Sequence, residues 1–155
     1  MRLQDLIDRP ELIAIVDVGD KVAAISLLVE RLVTAGKLAR DDAEDAMRAL
    51  LKREALGSTG IGRRVAIPHA RVSYVSSPVA ALGIVRNGLD FAAVDAELVS
   101  VLFLLLSPEG SDREHLEMLG FIGKLAKQAT VIDALASATS AAECLRIIRK
   151  ADQAP

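Results

Sequence analysis

Val99-Ser100-Val101-Leu102-Phe103-Leu104-Leu105-Leu106 is almost unbroken in apolar residues and stops at Pro108 and Gly110. Half-buried strands alternate apolar and polar residues, whereas a run like this one fits a central strand covered on both faces, so helices must lie on both sides of the sheet. A second strand-like run, Val79 to Val85, precedes it between Pro78 and Asn87-Gly88. A third, Val65-Ala66-Ile67, ends at Pro68, which cannot donate to a ladder. Near the amino terminus Ala14 to Val18 reads as the first strand, and Gly19 and a capping Asp20 follow it.

Helical spacing fills the intervals. Val22, Ile25, Leu28, Val29, Leu32 and Val33 recur at three- and four-residue steps until Gly36. Asp41 and Glu44 resemble a capping box that opens a second helix, which runs through Ala46, Met47, Leu50 and Leu51 to a stop at Gly57. Ser111 with Glu114 opens a third, with Leu116, Leu119, Ile122, Leu125 and Ala126 as its expected buried stripe. Thr130 to Leu135 is a short helix, and Ser140 with Glu143 caps a last one that ends near Lys150. The order strand, two helices, three strands, three helices predicts an α/β fold: a three-layer sandwich whose mixed sheet is flanked by helices on both faces. Residues 1–155 are expected to form a single domain, with 151–155 a frayed tail.

Composition narrows the function. Apolar residues make up 52% of the chain, but Asp, Lys, Arg or Gly interrupts each apolar stretch well before the roughly 20 residues of a membrane span. The start Met1-Arg2-Leu3-Gln4-Asp5 has no signal-peptide pattern, so a cytoplasmic location without direct membrane insertion is expected. A net charge of −2 and only 3% aromatic residues argue against nucleic-acid binding, which needs a basic surface and stacking platforms. Cys144 is the single cysteine and falls on an apolar helical stripe, which makes it a core residue and excludes a disulfide. Between residues 53 and 71, however, Arg53, Arg63, Arg64 and Arg71 face Glu54 alone, the composition of a local anion-attracting patch.

That patch surrounds His69, one of two histidines, presented at a strand end directly after Gly57-Ser58-Thr59-Gly60-Ile61-Gly62. The glycine loop is not a nucleotide loop: it leaves a helix and enters a strand, whereas phosphate loops leave a strand and enter a helix. No ligand-spaced histidine pair supports a catalytic metal, and no serine sits in a nucleophile elbow. What remains is a histidine that attacks a phosphoryl group through one ring nitrogen while the other is held by a hydrogen bond. Such chemistry asks mainly for positioning and charge compensation, which Arg53, His115 and the turn Ser58, Thr59 and Gly60 have the groups to supply. The residues alone leave a plainer account open, in which His69 caps a strand, His115 sits in a helix turn and Arg53 complements the dipole at a helix C-terminus.

Arg53-Glu54-x-x-Gly57-Ser58-Thr59-Gly60-Ile61-Gly62 followed by Val65-Ala66-Ile67-Pro68-His69 resembles the active-site signature of the enzyme IIA domain of the phosphoenolpyruvate-dependent sugar phosphotransferase system, fructose and mannitol class. The resemblance spans nearly the whole chain, and His115 matches the family's second active-site histidine. It implies a phosphocarrier in which His69 accepts a phosphoryl group from a histidine-containing phosphocarrier protein, His115 and Arg53 assist, and no metal, nucleotide or other cofactor takes part. The glycine loop is similar to that of the nitrogen-regulatory branch, whose members are stand-alone domains; a chain without an attached IIB or IIC domain is therefore expected, and with it a regulatory target protein. Ala70-Arg71 departs from the family pattern, where glycine is common after the histidine. Two other roles are carried forward: a IIA component that passes phosphate to a separate IIB/IIC sugar permease, and a relic that binds partners without carrying phosphate.

Overall fold

The computed structural model describes residues 2–153. Its elements are α1 (Leu3–Leu6), a 3-10 turn at Pro10–Leu12, β1 (Ile13–Val16), α2 (Lys21–Thr34), a 3-10 turn at Arg40–Asp42, α3 (Ala43–Ala55), β2 (Gly60–Gly62), β3 (Val65–Ala66), β4 (His69–Val72), β5 (Val79–Leu89), β6 (Val99–Pro108), α4 (Asp112–Ala126), α5 (Ala129–Ala136) and α6 (Ala141–Gln153). The sheet runs β1-β5-β6-β3-β2, and β4 also pairs with β6, further along the strand than β3. β5 and β6 are antiparallel, while β1 is parallel to β5, and β3 and β4 are parallel to β6.

β6 is central, as its composition requires. Val99, Val101, Phe103, Leu104, Leu105 and Leu106 are fully buried, as are Ala80, Ala81, Leu82 and Ile84 on β5. Successive residues of a strand point to opposite faces, so burial of consecutive positions means that both faces are covered. Each such leucine contributes on the order of 2 kcal/mol of burial free energy. α2 packs against α3 and β5, and α3 against β4; α4, α5 and α6 pack in succession, with α5 against β5 and β6 and α6 against β1. The approach of α2 is close: a Cβ on Gly83 would lie 3.1 Å from Cδ2 of Leu28.

Local chemistry accounts for most boundaries and corrects several. Asp20 accepts from the Ala23 amide at 2.8 Å, as an N-cap should. Ser140 accepts from the Glu143 amide at 3.2 Å, and the Glu143 carboxylate reaches back to the Thr139 amide at 3.0 Å. The boxes expected at Asp41/Glu44 and Ser111/Glu114 do not form: a 3-10 turn leads into α3, and Ser111 makes no side-chain cap. The first strand is Ile13–Val16 instead of 14–18, α1 and the 3-10 turn before it were not foreseen, and β5 continues through Asn87-Gly88 by a register shift. On α4 the buried stripe includes His115 and Met118, while Leu116 is 63% exposed and Leu119 only partly buried, so the expected stripe was rotated. The tail is helical as far as Gln153, because α6 packs back on α1 and Asp152 accepts from the Gln4 amide at 2.7 Å; positions 154 and 155 lie outside the described residues. Cys144 is buried, and burial pushes its thiol up to about 11, as fits a core residue.

Candidate active site

The single strand expected at 65–67 is divided. β2 and β3 form a hairpin, Ile67 and Pro68 interrupt the ladder, and β4 resumes it with His69 opposite Leu105 of β6. The interruption has a local purpose. With no N–H on Pro68, the backbone turns so that Ile67 points its carbonyl at the imidazole, and Nδ1 of His69 lies 2.6 Å from that oxygen. A carbonyl only accepts, so Nδ1 carries the proton, and Nε2 keeps its lone pair.

His69 lines an open cleft of about 440 Å³ with Arg53 of α3, Leu56 just after it, Ala70 and Arg71 of β4, and His115, Leu116 and Leu119 of α4. The two imidazoles, far apart in sequence, have ring centroids 5.4 Å apart at an interplanar angle of 52°. His115 is 2% exposed, and its Nδ1 lies 2.7 Å from Oγ of the fully buried Ser107. Arg53 donates to the Gly57 carbonyl at 2.8 Å, closing the end of α3, and faces the same cleft. Arg71 pairs with Asp112 at the start of α4. The arginine patch read from the sequence is thus split: Arg53 and Arg71 are at the cleft, whereas Arg63 and Arg64 sit in the β2–β3 turn with φ of 57° and 70°, and Arg64 pairs with Asp133 at 3.0 Å.

Both imidazoles are held neutral. Burial lowers the pKa of His69, the Ile67 hydrogen bond opposes it, and Arg53 adds to the lowering. Burial, then the neighbouring His69 and Arg71, pushes His115 down to about 4. The folded state therefore binds fewer protons than the unfolded chain between about pH 4 and 6.5, and stability is lost as pH falls through that window. With His115 alone at about 4 against an unfolded value of 6.5, the protein should be about 2 kcal/mol less stable at pH 5 than at pH 7.5. Urea unfolding at the two pH values checks this, and His115→Asn should remove most of the difference.

Behind the cleft lies a polar network that sequence analysis missed. The buried Glu54 carboxylate accepts from the Thr59 amide at 3.3 Å, from the Thr59 hydroxyl, and from Nζ of Lys21 at 3.0 Å. Lys21 also donates to the Phe91 carbonyl at 3.2 Å, which accepts from the Ser58 hydroxyl as well. The Thr59 carbonyl accepts from the Ile67 amide at 3.0 Å, so the chain of bonds ends on the residue whose own carbonyl holds His69. The groups of Ser58, Thr59 and Gly60 that were expected to bind phosphoryl are engaged in this network. Both hydroxyls are spent internally, the Gly60 amide donates to Oγ of Ser58 at 3.0 Å, and none of the three lines the cleft. Gly60 is required sterically, since a Cβ there would lie 2.9 Å from Cβ of Ala93. The Arg53-Glu54 pair carried the only sequence signal for the network: an acidic residue beside the last-turn arginine, five residues before a threonine in a glycine loop.

The fold and site define a mixed-sheet α/β domain with two neutral imidazoles and two guanidinium groups around one cleft. The chain belongs to the family "Phosphoenolpyruvate-dependent sugar phosphotransferase system, EIIA 2", whose profile matches residues 7–151. A nitrogen regulatory protein of Pseudomonas aeruginosa is 40% identical over 116 residues, 75% of each chain. A fructose-specific EIIA component of Haloferax volcanii is 35% identical over 120 residues, 77% of each. The crystal structure of the nitrogen regulatory protein IIA-Ntr from Neisseria meningitidis superposes with a TM-score of 0.80 at 33% identity, covering 90% of this chain and 94% of that one. No helix among the described residues is long and apolar enough to cross a membrane.

Proposed function

We propose that His69 is the phosphoacceptor of this EIIA domain and that it takes its phosphoryl group from a histidine-containing phosphocarrier protein. The observation that carries this is the Nδ1–H bond to Ile67, which leaves the Nε2 lone pair as the nucleophile in an open cleft. Nε2 forms the new N–P bond while the donor's N–P bond breaks and its electron pair returns to the donor ring; Nδ1 keeps its proton on the Ile67 carbonyl throughout. Arg53 and His115 compensate charge on the phosphoryl oxygens. Arg71, already paired with Asp112, adds to the positive field.

Similarity to nitrogen regulatory proteins supports a regulatory role, in which a target protein is bound differently in the two phosphorylation states. The fructose-specific relative supports the second reading, transfer onward to a IIB domain. Incubation with phosphoenolpyruvate, enzyme I and the phosphocarrier, followed by intact mass measurement at neutral pH and again after acid, tests the acceptor role. One acid-labile phosphoryl group is expected; no uptake would leave the partner-binding relic. Onward loss of the label to a purified IIB domain would favour transport over regulation.

Arg53 serves two ends at once, so its replacement separates them. Arg53→Lys retains a cation at the helix C-terminus, worth the same few tenths to about 1 kcal/mol, but lacks the planar fork that grips two oxygens. The expected result is a transfer rate lower by roughly tenfold or more, equivalent to about 1.4 kcal/mol of transition-state stabilisation, with the melting temperature nearly unchanged. Quench-flow phosphorylation beside a thermal melt checks it; a normal rate returns Arg53 to helix capping alone.

A further inference from the structure

We infer that Ser107 is a positioning residue that fixes His115 as the tautomer with its proton on Nε2, so that this imidazole faces the phosphoryl group as a donor. The inference rests on the reading of His69 as phosphoacceptor for its consequence, though not for the tautomer itself.

The geometry is a matter of one proton. Ser107 lies on β6 opposite Arg71 of β4, is fully buried, and places Oγ 2.7 Å from Nδ1 of His115. Two arrangements satisfy that distance. If Nδ1–H donates to Oγ, the hydroxyl proton must find another acceptor. Among the described residues Oγ has no other hydrogen-bond partner, and an orphaned buried donor carries a substantial desolvation penalty. If the hydroxyl donates to Nδ1, both groups are satisfied and the ring proton is confined to Nε2. Satisfaction of the buried hydroxyl therefore selects the second arrangement.

The selection matters because His115 has only one proton to offer. Its surroundings keep it neutral at physiological pH, and a neutral imidazole is a donor at one nitrogen and an acceptor at the other. With the proton on Nδ1, the lone pair of Nε2 would face the phosphoryl oxygens and repel them. With the proton on Nε2, the ring donates. No hydrogen bond joins the two rings in this structure, so the Nε2–H of His115 is open to a phosphoryl oxygen on His69. The two histidines are thus set in opposite senses by their neighbours: the Ile67 carbonyl makes His69 an acceptor at Nε2, and the Ser107 hydroxyl makes His115 a donor at Nε2.

Long-range proton–nitrogen correlation spectra of the imidazoles, recorded on the unphosphorylated protein at pH 7.5, read the tautomer directly. His115 should show an unprotonated Nδ1 and a protonated Nε2 in the wild type and in Ser107→Thr, which keeps the hydroxyl. In Ser107→Ala it should move toward a mixture of tautomers, and single-turnover transfer from the phosphocarrier should slow by roughly tenfold, a partial loss of one transition-state donor. His69 should keep its Nδ1–H signature in all three proteins, which controls for a general disturbance of the site. A wild-type His115 protonated at Nδ1, or a Ser107→Ala variant with unchanged tautomer and rate, overturns the assignment. Failure of the acceptor reading is a separate outcome: a wild type that takes up no phosphate while the tautomers of the Ser107 series move as stated would leave the tautomer assignment standing and remove its role in transfer.

Discussion

Replacing His69 with alanine or glutamine is expected to abolish phosphorylation by the proposed phosphocarrier donor while leaving the domain folded. Two observations set the size of this effect. Among the described residues, Nε2 of His69 is the one imidazole lone pair that the cleft exposes, while Cys144 is buried elsewhere with its thiol pushed up to about 11, and the Ser58 and Thr59 hydroxyls are consumed by Phe91 and Glu54. The other imidazole has its Nδ1 lone pair on the Ser107 hydroxyl and its proton on Nε2, so it faces the cleft as a donor and not as a nucleophile. Glutamine is the more stringent replacement, because it keeps a polar amide of similar reach in the cleft and yet offers phosphorus no nucleophile. The melting temperature should change little, as His69 is half-buried and its ring makes a single hydrogen bond. Intact mass measurement decides the matter: labelling of His69→Gln to the wild-type extent would falsify the acceptor role.

Much of this was legible because it depends on short-range chemistry. The apolar run at 99–106 places β6 at the centre, Asp20 and Ser140 cap as their sequence context requires, and the histidine after Ile67-Pro68 follows from the missing N–H of proline. What was not legible depends on partners distant in sequence. Asp41 and Ser111 have capping residue types, but whether they cap depends on the path by which the chain enters the helix, and Asp112 is taken by Arg71 instead. The α4 stripe was rotated because His115, polar by type, turns inward to Ser107 while Leu116 turns out to the cleft. Hydroxyls beside a glycine loop read as anion ligands until Glu54, Lys21 and the Phe91 carbonyl are seen to occupy them.

Glu54 is expected to matter more to stability than any residue that lines the cleft. Its carboxylate is 5% exposed and gathers the Thr59 amide, the Thr59 hydroxyl and the Lys21 ammonium. Glu54→Ala leaves both Thr59 donors without their acceptor and removes the counter-charge of Lys21, which keeps the Phe91 carbonyl at 3.2 Å and the Phe91 ring at 4.7 Å from its centroid. Breaking one side of a buried pair costs on the order of 3 to 5 kcal/mol, a large part of the roughly 5 to 15 kcal/mol that holds a domain together. Glu54→Gln is the sharper probe, since it keeps the shape and one accepting oxygen but turns an NH2 group toward groups that themselves donate. It should cost about 2 kcal/mol and leave a folded protein whose chemistry can be measured. If the bonds from Glu54 through Thr59 to Ile67 hold the carbonyl under Nδ1 of His69, the folded Gln variant transfers phosphate more slowly, and its His69 loses the pure Nδ1–H signature. Lys21→Met joined to Glu54→Leu removes both charges and should restore part of the stability, since an apolar pair carries no stranded ion. It should not restore the rate, because Thr59 still lacks its acceptor. Urea unfolding gives the first quantity and quench-flow the second. A Glu54→Gln variant that is destabilised but transfers at the wild-type rate would confine this network to holding α3, the glycine loop and the Phe91 segment together.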